Sequence, residues 1–209
     1  MALHDPNTLP SDLPIPADDG ASAHLLGMPL PDIALASTAN RIVHLQGLKS
    51  KAVIFFYPRS GVPGRSPPDG WDLVPGARGC TPQSCGYRDL AAEFAALNVA
   101  LCGISTQTIE YQREFAERTH LPFELLSDAG LALTKAMKLP TMEMPPITDG
   151  LEPGGPTTLI KRMSWYCDQG KIMRVWYPVF PPDQNAAAVL AWLKTIPGSI
   201  AGKPSEVSL

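Results

Sequence analysis

Cys80 and Cys85, five positions apart in "PGARGCTPQSCGYRDL", are the residues of this chain most suited to chemistry. Such a pair has three uses: it can bind a metal, form a structural disulfide or carry redox chemistry. Zinc asks for four converging ligands, with close pairs roughly two to four residues apart and a second pair nearby. The histidines, His4, His24, His44 and His120, are scattered singly; they read as surface or loop residues, and no metal or other cofactor is expected. A permanent disulfide meets a geometric obstacle. Five residues along an ideal helix separate the Cα atoms by about 8 to 9 Å, whereas a disulfide spans at most about 7 Å. The pair can be bridged only if the first turn is non-helical or unwinds, which suits a transient bond in a working cycle.

The surroundings of Cys80 suit a reactive thiol. "CTP" places a proline at the start of a predicted helix with Thr81 as its candidate cap, so Cys80 is expected at or just before a helix N-terminus. Unsatisfied N–H groups there favour an anion. Arg78, two residues earlier, adds a cation that favours a thiolate. Cys102 in "VALCGIS" and Cys167 in "SWYCD" fall in predicted strands and read as small buried residues.

The elements that must position this pair alternate along the chain. "KAVIFFYP" (51–58) is a continuous β-branched and aromatic run, as expected of a central strand covered on both faces. Residues 83–97 carry apolar side chains at Tyr87, Leu90, Ala91, Phe94 and Leu97, one face of a helix. A second buried strand is predicted over 98–105, a second helix over 108–120, a short strand at "FELLS" and a third helix at "AGLALTKAMKL". Residues 157–168 and 171–179 around a "QG" turn read as an antiparallel hairpin, and a last helix spans about 185–193. Right-handed crossovers make the first strands parallel and the hairpin adds an antiparallel edge. The fold class is therefore α/β, a thioredoxin-like order with a mixed central sheet covered by helices. Chemistry in such sheets sits beyond the carboxyl ends of the parallel strands.

Composition bounds the function. The 209 residues are 44% hydrophobic and 18% charged, with a net charge of −3, the profile of a globular domain. Nothing basic screens phosphates, so no nucleic acid is expected as a partner. No apolar run approaches the roughly 20 residues that span a bilayer, so no membrane is expected either. The N-terminus lacks the pattern of a secretory signal, and four cysteines are too few for a secreted disulfide scaffold, so a cytoplasmic location is expected. The 23 prolines cluster in predicted loops. Residues 1–25 read as an N-terminal arm, 26–197 as the domain, and 198–209 as a C-terminal tail.

"GCTPQSCGYRDL", followed by "FAALNVALCGIST", "REFAERTHLPFELLSD" and "RMSWYCDQGKI", resembles a peroxiredoxin of the peroxiredoxin Q (bacterioferritin comigratory protein) type, over about residues 27–193. The resemblance implies a thiol peroxidase in which Cys80 is the peroxidatic and Cys85 the resolving cysteine. A Cys80–Cys85 disulfide would then be recycled by thioredoxin or a similar dithiol. It also implies hydrogen peroxide and organic hydroperoxides as substrates, a monomer or homodimer, and an activating arginine in a motif similar to R-x-T-F-x-x-D-x-x-G. Arg162, Ser164, Trp165 and Asp168 fall on that frame, with Gly170 one residue early. A thiol-disulfide oxidoreductase, a peroxide sensor and a non-enzymatic thioredoxin-fold interaction module are the alternatives.

One departure stands out. The family pattern is similar to P-x-x-x-T-x-x-C, but Ala77 occupies the threonine position counted back from Cys80. Counted forward from Pro58, the threonine becomes Val62 and the cysteine Arg65. About fifteen residues near "SPPDGWDLVPGARG" thus read as an insertion in the active-site loop. The hydroxyl's role would pass to Ser60, Ser66, Thr81 or the backbone, and Trp71 either covers the pocket or anchors an exposed loop.

Overall fold

The computed structural model describes residues 5, 8–65, 67, 70–144 and 157–196. The expected tail from residue 198, Ser66, and most of the proline-rich stretch 140–156 lie outside them. The strands are β1 (Ala34–Ser37), β2 (Ile42–His44), β3 (Ala52–Phe56), β4 (Ala100–Ser105), β5 (Glu124–Ser127), β6 (Thr141–Glu143), β7 (Thr158–Ile160), β8 (Met163–Asp168) and β9 (Lys171–Trp176). The α-helices are α1 (Cys80–Asp89), α2 (Ala91–Ala96), α3 (Ile109–Arg118), α4 (Ala132–Met137) and α5 (Asn185–Leu193).

Seven strands form one sheet in the order β2-β1-β5-β4-β3-β8-β9. β3, β4 and β5 run parallel, while β8 and β9 add the expected antiparallel hairpin on one side. The other edge is a β1–β2 hairpin that joins β5 antiparallel; the sequence reading had no strands there. Every residue of β3 and β4 is buried, which is why those segments, Ser105 apart, are apolar instead of alternating. Side chains of β3 alternate between two cores. Ile54 and Phe56 face Leu133 and Met137 of α4 together with Leu25 and Leu30. Val53, Phe55 and Tyr57 face Tyr87, Phe94, Phe115 and Val189. Phe55 stacks on Tyr87 at 4.5 Å between ring centroids, which pins α1 against the sheet.

Two expected elements are divided. The helix expected over 83–97 starts earlier, at Cys80, and is interrupted at Leu90, which ends α1 and caps α2. The strand expected over 157–168 is broken at Lys161–Arg162. β7 leaves the main sheet to pair with β6, and only β8 continues beside β3. Lys161 N still donates to Pro140 O (2.8 Å), while Val179 N donates to Arg162 O (3.4 Å). The break turns Arg162 into the protein, where it is 3% exposed.

Candidate active site

The site lies beyond the carboxyl end of β3, where the parallel-sheet rule puts it. From Tyr57 the chain passes under α3. Ser60 N and Oγ donate to Gln107 Oε1 (2.9 and 3.1 Å), and Tyr111 OH donates to Ser60 O (3.1 Å). The inserted loop then crosses to the small β6–β7 sheet. Trp71, only 6% exposed, packs there with Ala77, Met144 and Leu159. Trp71 is thus a buried anchor of the loop.

The chain re-enters the site at 76–80. Gly79 caps α1 with φ +102°, and a Cβ there would lie 2.2 Å from Pro182 Cγ. Close approach to the turn before α5 therefore requires glycine at this position. The expected cap, Thr81, does not cap the helix: the N-cap is Gly79, and the buried Thr81 Oγ1 has no hydrogen-bond partner among the described residues. Cys80 begins the helix, where the first N–H groups have no intrahelical acceptor. Arg78 pairs with Asp72 (2.8 Å) and donates to Thr8 O (3.4 Å).

Arg162 reaches the sulfur: its Nη2 lies 3.2 Å from Cys80 Sγ. The same nitrogen lies 3.2 Å from Gly76 O, 3.2 Å from Ala77 O and 3.0 Å from Arg78 O. Two hydrogens are shared among four acceptors, so the sulfur competes with three carbonyls. A charge-assisted bond is roughly twice as strong as a neutral one, so the competition turns towards the sulfur once it is anionic. Nη1 donates to Gln83 Oε1 (2.5 Å). Gln83 Nε2 in turn donates to Asn185 Oδ1 (3.0 Å), which also accepts from Tyr87 OH (2.9 Å) and Ser164 Oγ (2.7 Å). This buried chain of hydrogen bonds fixes the guanidinium from behind and ties α1, β8 and α5 together. The sequence reading missed Gln83 and Asn185. Gln83 had a signal, being one turn beyond Cys80 on the same helix; Asn185 had none.

Cys85 lies half-buried in the body of α1, and all four cysteines are free thiols. Burial is the main cause pushing the Cys85 thiol up, opposed by the neighbouring Arg88. Cys102 and Cys167 are fully buried in the core of the sheet, and burial pushes both thiols up, Cys167 to about 12. They are inert packing residues, as expected. At the threonine position, Ala77 contributes its backbone carbonyl, which accepts from Cys80 Sγ (3.7 Å). Of the hydroxyls expected to substitute, Ser60 is committed to Gln107.

The N-terminal arm packs beside this site. Asp19 accepts from Lys161 Nζ (2.8 Å) and Tyr177 OH (2.8 Å). These two bonds, with the Ala21 N–H, hold the Asp19 carboxyl down at about 2 against an ordinary 3.8. Because the folded value is the lower one, the latch contributes fully above about 3.8 and is lost as pH falls through about 2. Limited proteolysis of the arm is expected to stay slow down to about pH 4 with an acid-tolerant protease and to accelerate below it. Asp19→Asn should release the arm at neutral pH.

The redoxin family matches residues 25–190. Peroxiredoxin Bcp of Bacillus subtilis is 29% identical over 166 residues, covering 78% of this chain and 92% of that protein. The crystal structure of peroxidoxin BcpB from Mycobacterium tuberculosis superimposes with a TM-score of 0.60 at 28% identity, over 82% of this chain and 97% of that one. A Xanthomonas campestris bacterioferritin comigratory protein, whose structure concerns alkyl peroxide reduction, gives a TM-score of 0.60 at 24% identity over 80% and 96%. The chain belongs to the redoxin family and, within it, is a peroxiredoxin of the Q, or Bcp, type. It is a thiol peroxidase: its substrate is a peroxide and its reductant a thiol. Among the described residues no helix is long and apolar enough to cross a membrane.

Proposed function

We propose that Cys80 is the peroxidatic cysteine, Cys85 the resolving one and Arg162 the activating cation. The substrates are hydrogen peroxide and organic hydroperoxides, and a thioredoxin-like dithiol is the reductant. The observation that carries this reading is the 3.2 Å contact between Arg162 Nη2 and Cys80 Sγ at a helix start. The Cys80 thiolate attacks the terminal oxygen of ROOH; the S–O bond forms as the O–O bond breaks, and the leaving RO⁻ takes up the proton that the thiol gave up and departs as ROH. Arg162 and the first-turn N–H groups are donors fixed where negative charge moves from sulfur to oxygen. Cys85 then displaces hydroxide from the sulfenic acid, giving a disulfide and water. Both cysteines start in α1, about 8 to 9 Å apart in an ideal helix, so the first turn must unwind before they join. Unwinding also exposes Cys85, relieving the burial that holds its proton. A dithiol restores both thiols by exchange and leaves as a disulfide. The Xanthomonas protein's link to alkyl peroxide reduction supports organic hydroperoxides as substrates here. Four free thiols fit a reducing compartment, which makes the cytoplasm the proposed location.

Stopped-flow peroxide reduction tests this assignment. Cys80→Ser is expected to abolish reaction above the rate of a free thiol. Cys85→Ser should keep the first, stoichiometric reduction and lose turnover with a dithiol, accumulating a sulfenic acid that dimedone traps. Equal loss of the first reduction in both variants would overturn the assignment.

A further inference from the structure

Beside Arg162 lies a cavity of about 330 Å³ that the reaction at Cys80 does not by itself explain. Its walls come from the arm (Pro16), the inserted loop (Val74 and Pro75) and two stretches of the body (Met142, and Pro178 with Val179). The lining is mostly apolar, and its volume falls at the lower end of the roughly 300 to 1,000 Å³ of small-molecule pockets. Arg162 is the buried cation in the wall. At the rim, Lys161 and Asp19 neutralise each other, so the rim favours neither sign of charge.

We propose that the arm and the inserted loop together build a binding pocket for the apolar part of an organic hydroperoxide. This rests on the peroxidase reading above and adds a chain-specific site to it. The aryl or alkyl group occupies the cavity among Pro16, Val74, Met142 and Val179, and the peroxide group lies along the guanidinium whose Nη2 touches Cys80 Sγ. After the O–O bond breaks, the alcohol ROH is left in the cavity and the second oxygen stays on sulfur. Hydrogen peroxide has no group to place there, so the cavity discriminates between the two substrates.

Two measurements test the pocket. Val74→Trp, which fills the cavity from the loop, is expected to lower the ratio of kcat/KM for cumene hydroperoxide to that for hydrogen peroxide at least tenfold; an unchanged ratio would overturn the proposal. Independently of any turnover, 2-phenyl-2-propanol, the alcohol product of cumene hydroperoxide, is titrated into Cys80→Ser protein and followed by methyl NMR. Saturable shifts at Val74, Met142 and Val179 are expected, and their absence would overturn the pocket. If wild-type protein reduces no peroxide while the alcohol still binds, the peroxidase assignment fails and the pocket stands. Peroxide turnover with neither selectivity nor binding means the reverse.

Discussion

Arg162→Met is expected to slow peroxide reduction by Cys80 about a hundred- to a thousandfold, the usual effect of removing one fixed donor from a developing oxyanion. The loss is large because no other described side chain is seen donating to the sulfur: the other recorded bond there is the weak one from Cys80 Sγ to Ala77 O. The same substitution strips Gln83 Oε1 of its partner and leaves three loop carbonyls facing a thioether. Stability should therefore fall too, by about 1–3 kcal/mol for the buried acceptors left unmatched. Arg162→Lys separates the two effects. An ammonium restores the charge but cannot span Gln83 and the sulfur as a planar fork does, so it should recover most of the stability and only part of the rate. Stopped-flow fluorescence for the rate and urea denaturation for the stability read the two independently. A rate within threefold of wild type in Arg162→Met would remove the arginine from the mechanism.

The parts of this site that were legible in the sequence are those set by local chemistry. Cys80 opens a helix because "GCTP" combines a glycine able to turn with residues that suit a first turn. β3 and β4 are read directly from their unbroken apolar runs, since burial on both faces leaves no alternation to misjudge. What stayed hidden depends on partners remote in sequence. Nothing in "TTLIKRMSWYCD" shows that Thr158–Ile160 join β6 while Met163 to Cys167 join β3, yet that division is what turns Arg162 inward. Hydroxyl preference favours Thr81 as the cap, whereas the contact with Pro182, 103 residues away, selects Gly79 instead. The departure at Ala77 was visible, but its consequence was not. The inserted loop returns carbonyls of 76–78 to the guanidinium, so backbone now surrounds Arg162 at the place where the family pattern has a hydroxyl side chain. The docking of the arm was equally unreadable, because the Asp19, Lys161 and Tyr177 that latch it are 142 and 158 residues apart.

Gly79→Ala should damage stability and reactivity together, although it adds one methyl group and removes no hydrogen-bonding side chain. The backbone there has φ +102°, which costs a residue with a Cβ about 1–3 kcal/mol. The new methyl would also meet Pro182 Cγ at 2.2 Å, Pro182 Cβ at 2.9 Å and Leu9 Cδ2 at 3.1 Å. Neither proline atom belongs to a flexible side chain that can swing away, so α1 and the turn before α5 must separate, at a further cost of about 1–3 kcal/mol. The expected total is about 2–6 kcal/mol by urea denaturation. Separation at this point pulls Asn185 away from Gln83, and with it the support behind Arg162. Reduction of hydrogen peroxide should therefore slow at least tenfold in protein that is still folded. Gly64→Ala is the comparison: its φ of +75° carries the backbone cost, but a Cβ there meets nothing within 4 Å among the described residues. It should lose only about 1 kcal/mol and keep its peroxide rate. Equal stability of the two variants would show that the Gly79–Pro182 contact does not hold the first turn of α1 in place.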